Sequence, residues 1–249
     1  MSDKKRIAVL TGAGVSKESG ISTFRDNGGL WDNHKIEDVA TPEAWDNNPS
    51  LVLDFYNERR RFANECQPNG SHLALTKLEE HFHVDVITQN VDNLHERAGS
   101  TNVLHLHGQL NRVRSENHPN HAGFQATPWI DDVHLGDIDE YGNQLRPHIV
   151  WFGEDVPEIE NAQTIVTMCD ILIIIGTSLS VYPASELIYF LRKGRTVYIV
   201  DPSSEVSENV IRIGDFNLLG RTVVPYYDKD LTTAENMETL VAKLITELS

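Results

Sequence analysis

Cysteine is nearly absent: among 249 residues only Cys66 and Cys169 occur, far apart and each in an apolar or helical setting. Two such thiols exclude a disulfide framework, and the expectation is a pair of reduced, packed side chains. Positive charge is also scarce, with 21 Lys and Arg against 37 Asp and Glu and a formal net charge of −16. That balance argues against general affinity for nucleic-acid phosphates or an anionic membrane, since both need a surplus of cations on some face. Basic, lysine-rich protein partners suit it better. No run of about 18 or more apolar residues is present to span a bilayer. The opening MSDKKRIAVL passes from a short charged leader straight into a strand-like segment, without the apolar region and cleavage site of a signal peptide. These absences predict a soluble, cytoplasmic protein, expected to be a monomer, with neither nucleic acid nor membrane among its partners.

What the chain does have is an alternation of short apolar runs with amphipathic stretches. RIAVLTG, HVDVITQN, NVLHLHG, DILIIIGTS and TVYIVD each end in Gly, Asn, Asp or Ser, as buried parallel strands joined by helices do. The run Ile171–Ile175 is expected to be buried on both faces, and the loops after such strands meet at a ligand crevice. A chain of this length suits one main core. Two segments interrupt the alternation: residues 28–72 read as helices, with Pro42 and Pro49 near helix starts, and residues 111–146 are rich in Asn, Asp, His and Gly with little periodicity. The fold class is therefore α/β, a Rossmann-like parallel sheet formed by residues 1–27, 73–108 and 147–249. A smaller domain made of two insertions, 28–72 and 109–146, joins it. The tail AENMETLVAKLITELS reads as a closing amphipathic helix.

Four places carry chemistry. The first strand runs into Gly12, Ala13, Gly14, Val15 and Ser16, a glycine-rich turn that lets backbone N–H groups approach a pyrophosphate at a helix N-terminus, or that simply makes a tight turn without a ligand. Gln89, Asn90, Val91 and Asp92 follow a strand, where amides and a carboxylate can bind ribose hydroxyls and a carboxamide, or cap the next helix. His105 and His107 lie two apart in an extended segment, either as a metal pair or as one packed and one proton-transferring imidazole. No carboxylate or cysteine cluster beside them favours a metal. Tyr56 and Arg59, three apart in a helical stretch, share one face.

Taken in order, GAGVSKESGISTFR, TQNVDNLH, His107-Gly108, RPHIVWFGE and GTSLSVYPA resemble the sirtuin family, and the resemblance covers nearly the whole chain, most weakly between residues 111 and 143. It implies an NAD-consuming protein-lysine deacylase acting on acyl-lysine proteins or peptides, in which the acyl oxygen displaces nicotinamide and His107 activates a ribose hydroxyl. By the same resemblance Asn90 serves the ribose and the attacking water, and Asp92 the nicotinamide carboxamide. Gly12, Ala13, Gly14, Ser16, Gln89, Val91, Gly176, Thr177 and Ser178 line the cofactor, Thr23, Phe24 and Arg25 form a lid over it, and Asp201 meets the adenine ribose. Asp201 stands where the family more often has Asn, and can equally cap the turn before Pro202. Val150, Trp151, Phe152, Gly153 and Glu154, with Val181 and Tyr182, are expected to clamp the peptide as two neighbouring strands. Two other classes stay open. An NAD-cleaving or ADP-ribosyl-transferring enzyme needs no peptide clamp, and a non-catalytic NAD-sensing module needs no His107.

The chain departs from the family where many sirtuins carry two Cys-x-x-Cys pairs, because the corresponding region holds no cysteine. A four-thiolate zinc site is therefore impossible, no metal is expected, and His118, His121 and His134 with Asp131, Asp132, Asp137 and Asp139 read as a solvated surface. Ala40, Thr41 and Pro42 followed by Tyr56 and Arg59 resemble the branch that removes succinyl and malonyl groups. In it Ala40 leaves room for a longer acyl chain, and Arg59 and Tyr56 hold the chain's terminal carboxylate.

Overall fold

The computed structural model describes residues 4–22, 34–116, 126–202 and 221–248. Each apolar run becomes a strand: β1 (Arg6–Thr11), β2 (His83–Thr88), β3 (Val103–His105), β7 (Ile171–Ile175) and β8 (Thr196–Val200), with β4 (Gly108–Ser115), β5 (Thr127–Pro128), β6 (Leu145–Ile149) and β9 (Thr222–Pro225) completing the set in chain order. Six of them form a parallel sheet in the order β3-β2-β1-β7-β8-β9. Alternation along β7 explains why that run is continuous rather than periodic. Leu172 and Ile174 enter a cluster with Ala162 and Val166 on one face, while Ile171, Ile173 and Ile175 enter another with Leu75, Leu78, Leu240 and Leu244 on the opposite face.

The helices start where proline and side-chain caps put them. Pro42 opens α2 (Pro42–Asn47) and Pro49 opens α3 (Pro49–Glu65), after the short α1 (Ile36–Val39). The Thr41 hydroxyl accepts the Ala44 N–H at 3.1 Å, and Asn48 Oδ1 accepts the Leu51 N–H at 3.2 Å. Helices α4 (Gly70–Glu79), α5 (Leu94–Ala98) and α6 (Ile159–Met168) follow, and the tail closes as α7 (Thr233–Leu248), whose Met237, Leu240, Val241 and Leu244 are buried. Among the described residues no helix is long and apolar enough to cross a membrane. Both cysteines are free and buried, as expected.

The polar stretch 111–146 is more regular than its composition suggests. β4 pairs antiparallel with β5 and β6 to make a second, three-stranded sheet. It shares one hydrophobic cluster with α1, α2 and α3, in which Val39, Trp45, Val52 and Phe55 meet Leu110, Val113 and Trp151. The chain passes from the large sheet into this lobe at Gly108, where φ is +84° and an added Cβ would fall 2.0 Å from the His148 carbonyl oxygen. Only glycine fits there, and the residue it leaves at the junction is His107.

Candidate functional site

The loops that leave β1, β2, β3, β7 and β8 all emerge from the same, C-terminal, edge of the parallel sheet, so the cofactor residues expected from sequence come together there. The glycine segment enters a 3-10 turn, Ala13–Ser19, rather than an α-helix. Its glycines answer to packing first. The Gly12 N–H donates to the Ile175 carbonyl at 3.1 Å and the Gly14 N–H to the Gly176 carbonyl at 2.9 Å, so neither N–H points to a phosphate. A Cβ on Gly14 would lie 2.7 Å from Gly176 Cα. The β1 and β7 loops thus touch backbone to backbone, a second reason for Gly12, Gly14 and Gly176 beyond the close approach of a ligand.

Behind this turn lies a buried polar cluster. Asn90 Nδ2 donates to Ser16 Oγ at 3.0 Å, and Ser16 Oγ donates to Asp92 Oδ2 at 3.0 Å. Asp92 Oδ1 accepts the Leu94 N–H at 3.0 Å, at the start of α5, whose N-cap position is Asn93. Burial pushes the Asp92 carboxyl up, against the pull of those two hydrogen bonds. Gln89 Nε2 donates to Thr177 Oγ1 at 2.9 Å, tying the β2 loop to the β7 loop. Ser178 lies beside Ser180, hydroxyl to hydroxyl at 2.7 Å. Asp201 follows β8 directly, where the Gly176 N–H meets the Val200 carbonyl at 3.3 Å. Amide, hydroxyl and carboxylate groups sunk into an apolar sheet edge are a donor and acceptor set that fits a dinucleotide's ribose hydroxyls and carboxamide. Thr23, Phe24 and Arg25 lie outside the described residues.

The two histidines are held alike and used differently. His105 Nδ1 donates to the Asn90 carbonyl at 2.9 Å and His107 Nδ1 to the Gln89 carbonyl at 3.0 Å, so consecutive carbonyls of the β2 loop fix both rings. His105 Nε2 then faces Glu96 Oε1 at 2.8 Å. Burial alone would raise the Glu96 carboxyl, but the His105 hydrogen bond and charge outweigh it and hold that carboxyl below its ordinary range. His107 Nε2 has no hydrogen bond among the described residues, and burial lowers the His107 imidazole, partly offset by the Gln89 carbonyl. A ring protonated at Nδ1 with an open Nε2 lone pair is an acceptor for a proton.

Two backbone contacts bring the smaller lobe to this point. The Val150 N–H donates to the His107 carbonyl at 3.0 Å and the Phe152 N–H to the Ala40 carbonyl at 3.0 Å. Ala40 and Tyr56 are buried, and the Arg59 guanidinium lies 4.0 Å over the Phe55 ring. Burial pushes the Tyr56 hydroxyl well up, although Arg59, Trp151 and Arg146 pull it down, and lowers Arg59 to about 10. Arg59 keeps its charge at neutral pH.

The peptide-clamp segments differ from expectation. Residues 151–154 form a turn after β6, closed by the Glu154 N–H on the Trp151 carbonyl at 3.0 Å, and Val181 and Tyr182 lie exposed in a bend before the 3-10 segment Ala184–Phe190. Neither is a strand, because Gly153, at φ +95°, turns the first back on itself. Glu154 is committed inside the lobe. It accepts from Arg146 Nη1 at 2.8 Å, Arg114 Nη2 at 3.1 Å and the Trp151 N–H at 2.8 Å, so its carboxylate neutralises two buried arginines and is held below the ordinary range against its own burial. The Arg146 guanidinium caps the Trp151 ring at 3.2 Å. Sequence reasoning gave no role to Arg114, Arg146, Glu96 or the buried Thr11, Thr88, His72 and His95. The signal available for the threonines was a buried polar residue closing each of two central strands.

Among the described residues no three His, Cys, Asp or Glu side chains are grouped to hold a metal. Asp132 pairs with Arg61, Asp137 accepts the His134 N–H, and Asp139 accepts from Ser115, Tyr141 and Asn143. Asp131 offers its carbonyl to Arg60. His118 and His121 lie outside the described residues.

Residues 12–183 match the model of the Sir2 family. The chain is 54% identical over 200 residues to an NAD-dependent protein deacylase of Bacteroides thetaiotaomicron, covering 80% of this chain and 86% of that one. It is 53% identical over 201 residues to one from Helicobacter pylori, covering 81% and 84%. Among solved structures, a Sir2 homologue in complex with NAD superimposes with a TM-score of 0.79 at 34% identity, over 99% of this chain and 91% of that one. With the family model spanning the β1 glycine turn through the β7 loop, and the parallel sheet matching its solved members, this chain belongs to the Sir2 family, the sirtuins.

Proposed function

We propose that this chain is an NAD-dependent protein-lysine deacylase that removes succinyl and malonyl groups in preference to acetyl, works without zinc, and releases nicotinamide and O-acyl-ADP-ribose. NAD as co-substrate and protein deacylation as the activity follow from the family and from the names of its relatives. The observation that carries the reading is His107, whose Nδ1 is spent on the Gln89 carbonyl and whose Nε2 has no partner among the described residues, beside the loop that holds Asn90 and Asp92. NAD supplies the ribose centre that accepts the acyl group and the nicotinamide that leaves. His107 Nε2 takes the ribose hydroxyl proton, and a neutral imidazole is the form that can do so. Asn90 and Asp92, fixed through Ser16, orient the ribose and the carboxamide.

The acyl preference rests on α3. Tyr56 and Arg59 share a helix face beside Ala40, whose carbonyl holds Phe152 of the turn that also reaches His107. A charged guanidinium with a phenolic hydroxyl next to it suits a terminal carboxylate. The test is to incubate the protein with NAD and lysine peptides carrying succinyl, malonyl or acetyl groups and to measure nicotinamide. Release that requires peptide and is faster with the acidic acyl groups is expected. Peptide-independent release would make it an NAD hydrolase, absence of release an NAD-binding module, and preference for acetyl would remove the acyl assignment.

A further inference from the structure

Two buried histidines lie beneath the site and take no part in the chemistry above. His72, in the first turn of α4, and His95, in α5, are 0% and 1% exposed, with ring centroids 4.8 Å apart. The hydrogen bonds around them fix their protons. The Asn69 N–H donates to His72 Nδ1 at 3.2 Å, so that nitrogen is an acceptor and the proton of a neutral His72 is on Nε2. Thr11 Oγ1 spends its own proton on Thr88 Oγ1 at 2.8 Å, so at 3.1 Å from His95 Nε2 it must accept, and the His95 proton is also on Nε2. That leaves one buried donor, His72 Nε2–H, and one buried acceptor, His95 Nδ1, each without a partner. An unmade hydrogen bond at such depth is costly, and a complementary pair of orphans on neighbouring rings has an obvious remedy.

We infer that His72 Nε2–H donates to His95 Nδ1, closing one continuous buried hydrogen-bond chain from the α4 cap to the catalytic loop, and that His72 and His95 are positioning residues for NAD. The structure does not itself show the bond, but the rings are close enough for it, since a linear N–H···N bond of about 3 Å sets imidazole centroids about 5 Å apart. From His95 the chain runs through Thr11, the last residue of β1, to Thr88, the last residue of β2, whose hydroxyl accepts the Asn90 N–H at 3.0 Å. At its other end Asn69 Nδ2 donates to the Val15 carbonyl at 2.8 Å and to Ser19 Oγ at 3.0 Å, inside the glycine turn. Both loops that face the co-substrate are therefore tied to one line of groups that never touches it. Burial holds both rings well below the ordinary imidazole value, His72 at about 4, which keeps them neutral as this proton arrangement requires.

Long-range proton–nitrogen spectra of the intact protein at neutral pH test the bond: both rings should show the Nε2–H tautomer, with a scalar coupling between His72 Nε2 and His95 Nδ1. An Nδ1–H tautomer on either ring overturns the inference. The variants H72F, H95F and the double H72F/H95F test the consequence. Each single change strands one partner of the inferred bond, whereas the double removes both; the losses at the Asn69 N–H and at Thr11 are shared with the singles, so the double is expected to be more stable than the sum of the singles, and strict additivity counts against the bond. Because the double still severs Thr11 from α4, its KM for NAD should stay about tenfold above the parent while kcat changes little. A double variant with the parent's KM for NAD shows that the chain does not position the site. If the parent itself fails to consume NAD, the functional reading falls, while the tautomer spectra still decide the hydrogen bond.

Discussion

The Gln89 carbonyl oxygen accepts the Nδ1–H of His107 at 3.0 Å, and the next carbonyl, that of Asn90, accepts from His105 at 2.9 Å. Two rings anchored identically differ only in what meets Nε2: Glu96 for His105, nothing among the described residues for His107. His107→Ala should therefore lower deacylation by about 10²- to 10⁴-fold with the fold intact, as loss of a general base does. His105→Ala should cost much less activity and some stability, since it leaves Glu96 without the His105 hydrogen bond. Steady-state kinetics with thermal unfolding of both variants checks this, and equal activity losses would point instead to a metal pair.

Arg59 is the residue on which the acyl preference turns. Arg59→Met keeps an unbranched apolar stem but removes the charge and the guanidinium that lies over Phe55. The loss on succinyl-lysine peptide should be roughly 2 to 5 kcal/mol of transition-state binding, with acetyl-lysine nearly untouched. Measuring kcat/KM on both peptides is decisive, because a proportional loss on both would mean that Arg59 only supports the lobe.

Purified protein should contain far less than one zinc per chain by elemental mass spectrometry, and chelator should leave its activity unchanged. Among the described residues the lobe has protein cross-links of its own. Glu154 between Arg114 and Arg146, and Arg60 on the Leu110 carbonyl at 2.6 Å, cross-link α3, β4 and β6 without a metal. Stoichiometric zinc lost together with activity would reverse this.

Asp201, at the end of β8, should favour NAD over NADP, because a carboxylate accepts from ribose hydroxyls and repels a 2′-phosphate. Calorimetric titration of Asp201→Ala should show weakened NAD binding and a smaller gap between the two dinucleotides. Unchanged NAD affinity would leave Asp201 as the cap before Pro202.

Stability should fall as pH drops from about 6.5 to about 4. His72 and His148 are held at about 4 by burial, and His95 and His107 also lie below the ordinary value. Between those limits the unfolded chain takes up protons that the folded chain refuses, which favours unfolding. For His72 alone the ceiling is about 3 kcal/mol. His105 and Arg112, Arg114 and Arg146 act in the same direction on the groups they face, while the raised Asp92 opposes the trend at the acid end. Urea denaturation at pH 7 and pH 5 should show the decrease, and H72F should flatten it; a profile independent of pH over that range would contradict neutral buried rings.

The amino-acid sequence by itself determined what depends on local pattern. Continuous apolar runs specified the central parallel strands, Pro42 and Pro49 set two helix starts, the tail's periodicity marked α7, and the ordered motifs identified the crevice at the strand ends. The count of two cysteines settled the question of four thiolates without any coordinates. Tertiary structure decided whatever depends on partners distant in sequence. The short β9 is a strand only through its pairing with β8, and the 111–146 stretch becomes a sheet only because β4 meets β6. Glu154 looked available to a substrate until Arg114 and Arg146 converged on it from 40 and 8 residues away. Which imidazole stays open was equally hidden. His105 and His107 are alike by spacing, and only the arrival of Glu96 from α5 occupies Nε2 of one while the other has no partner there among the described residues.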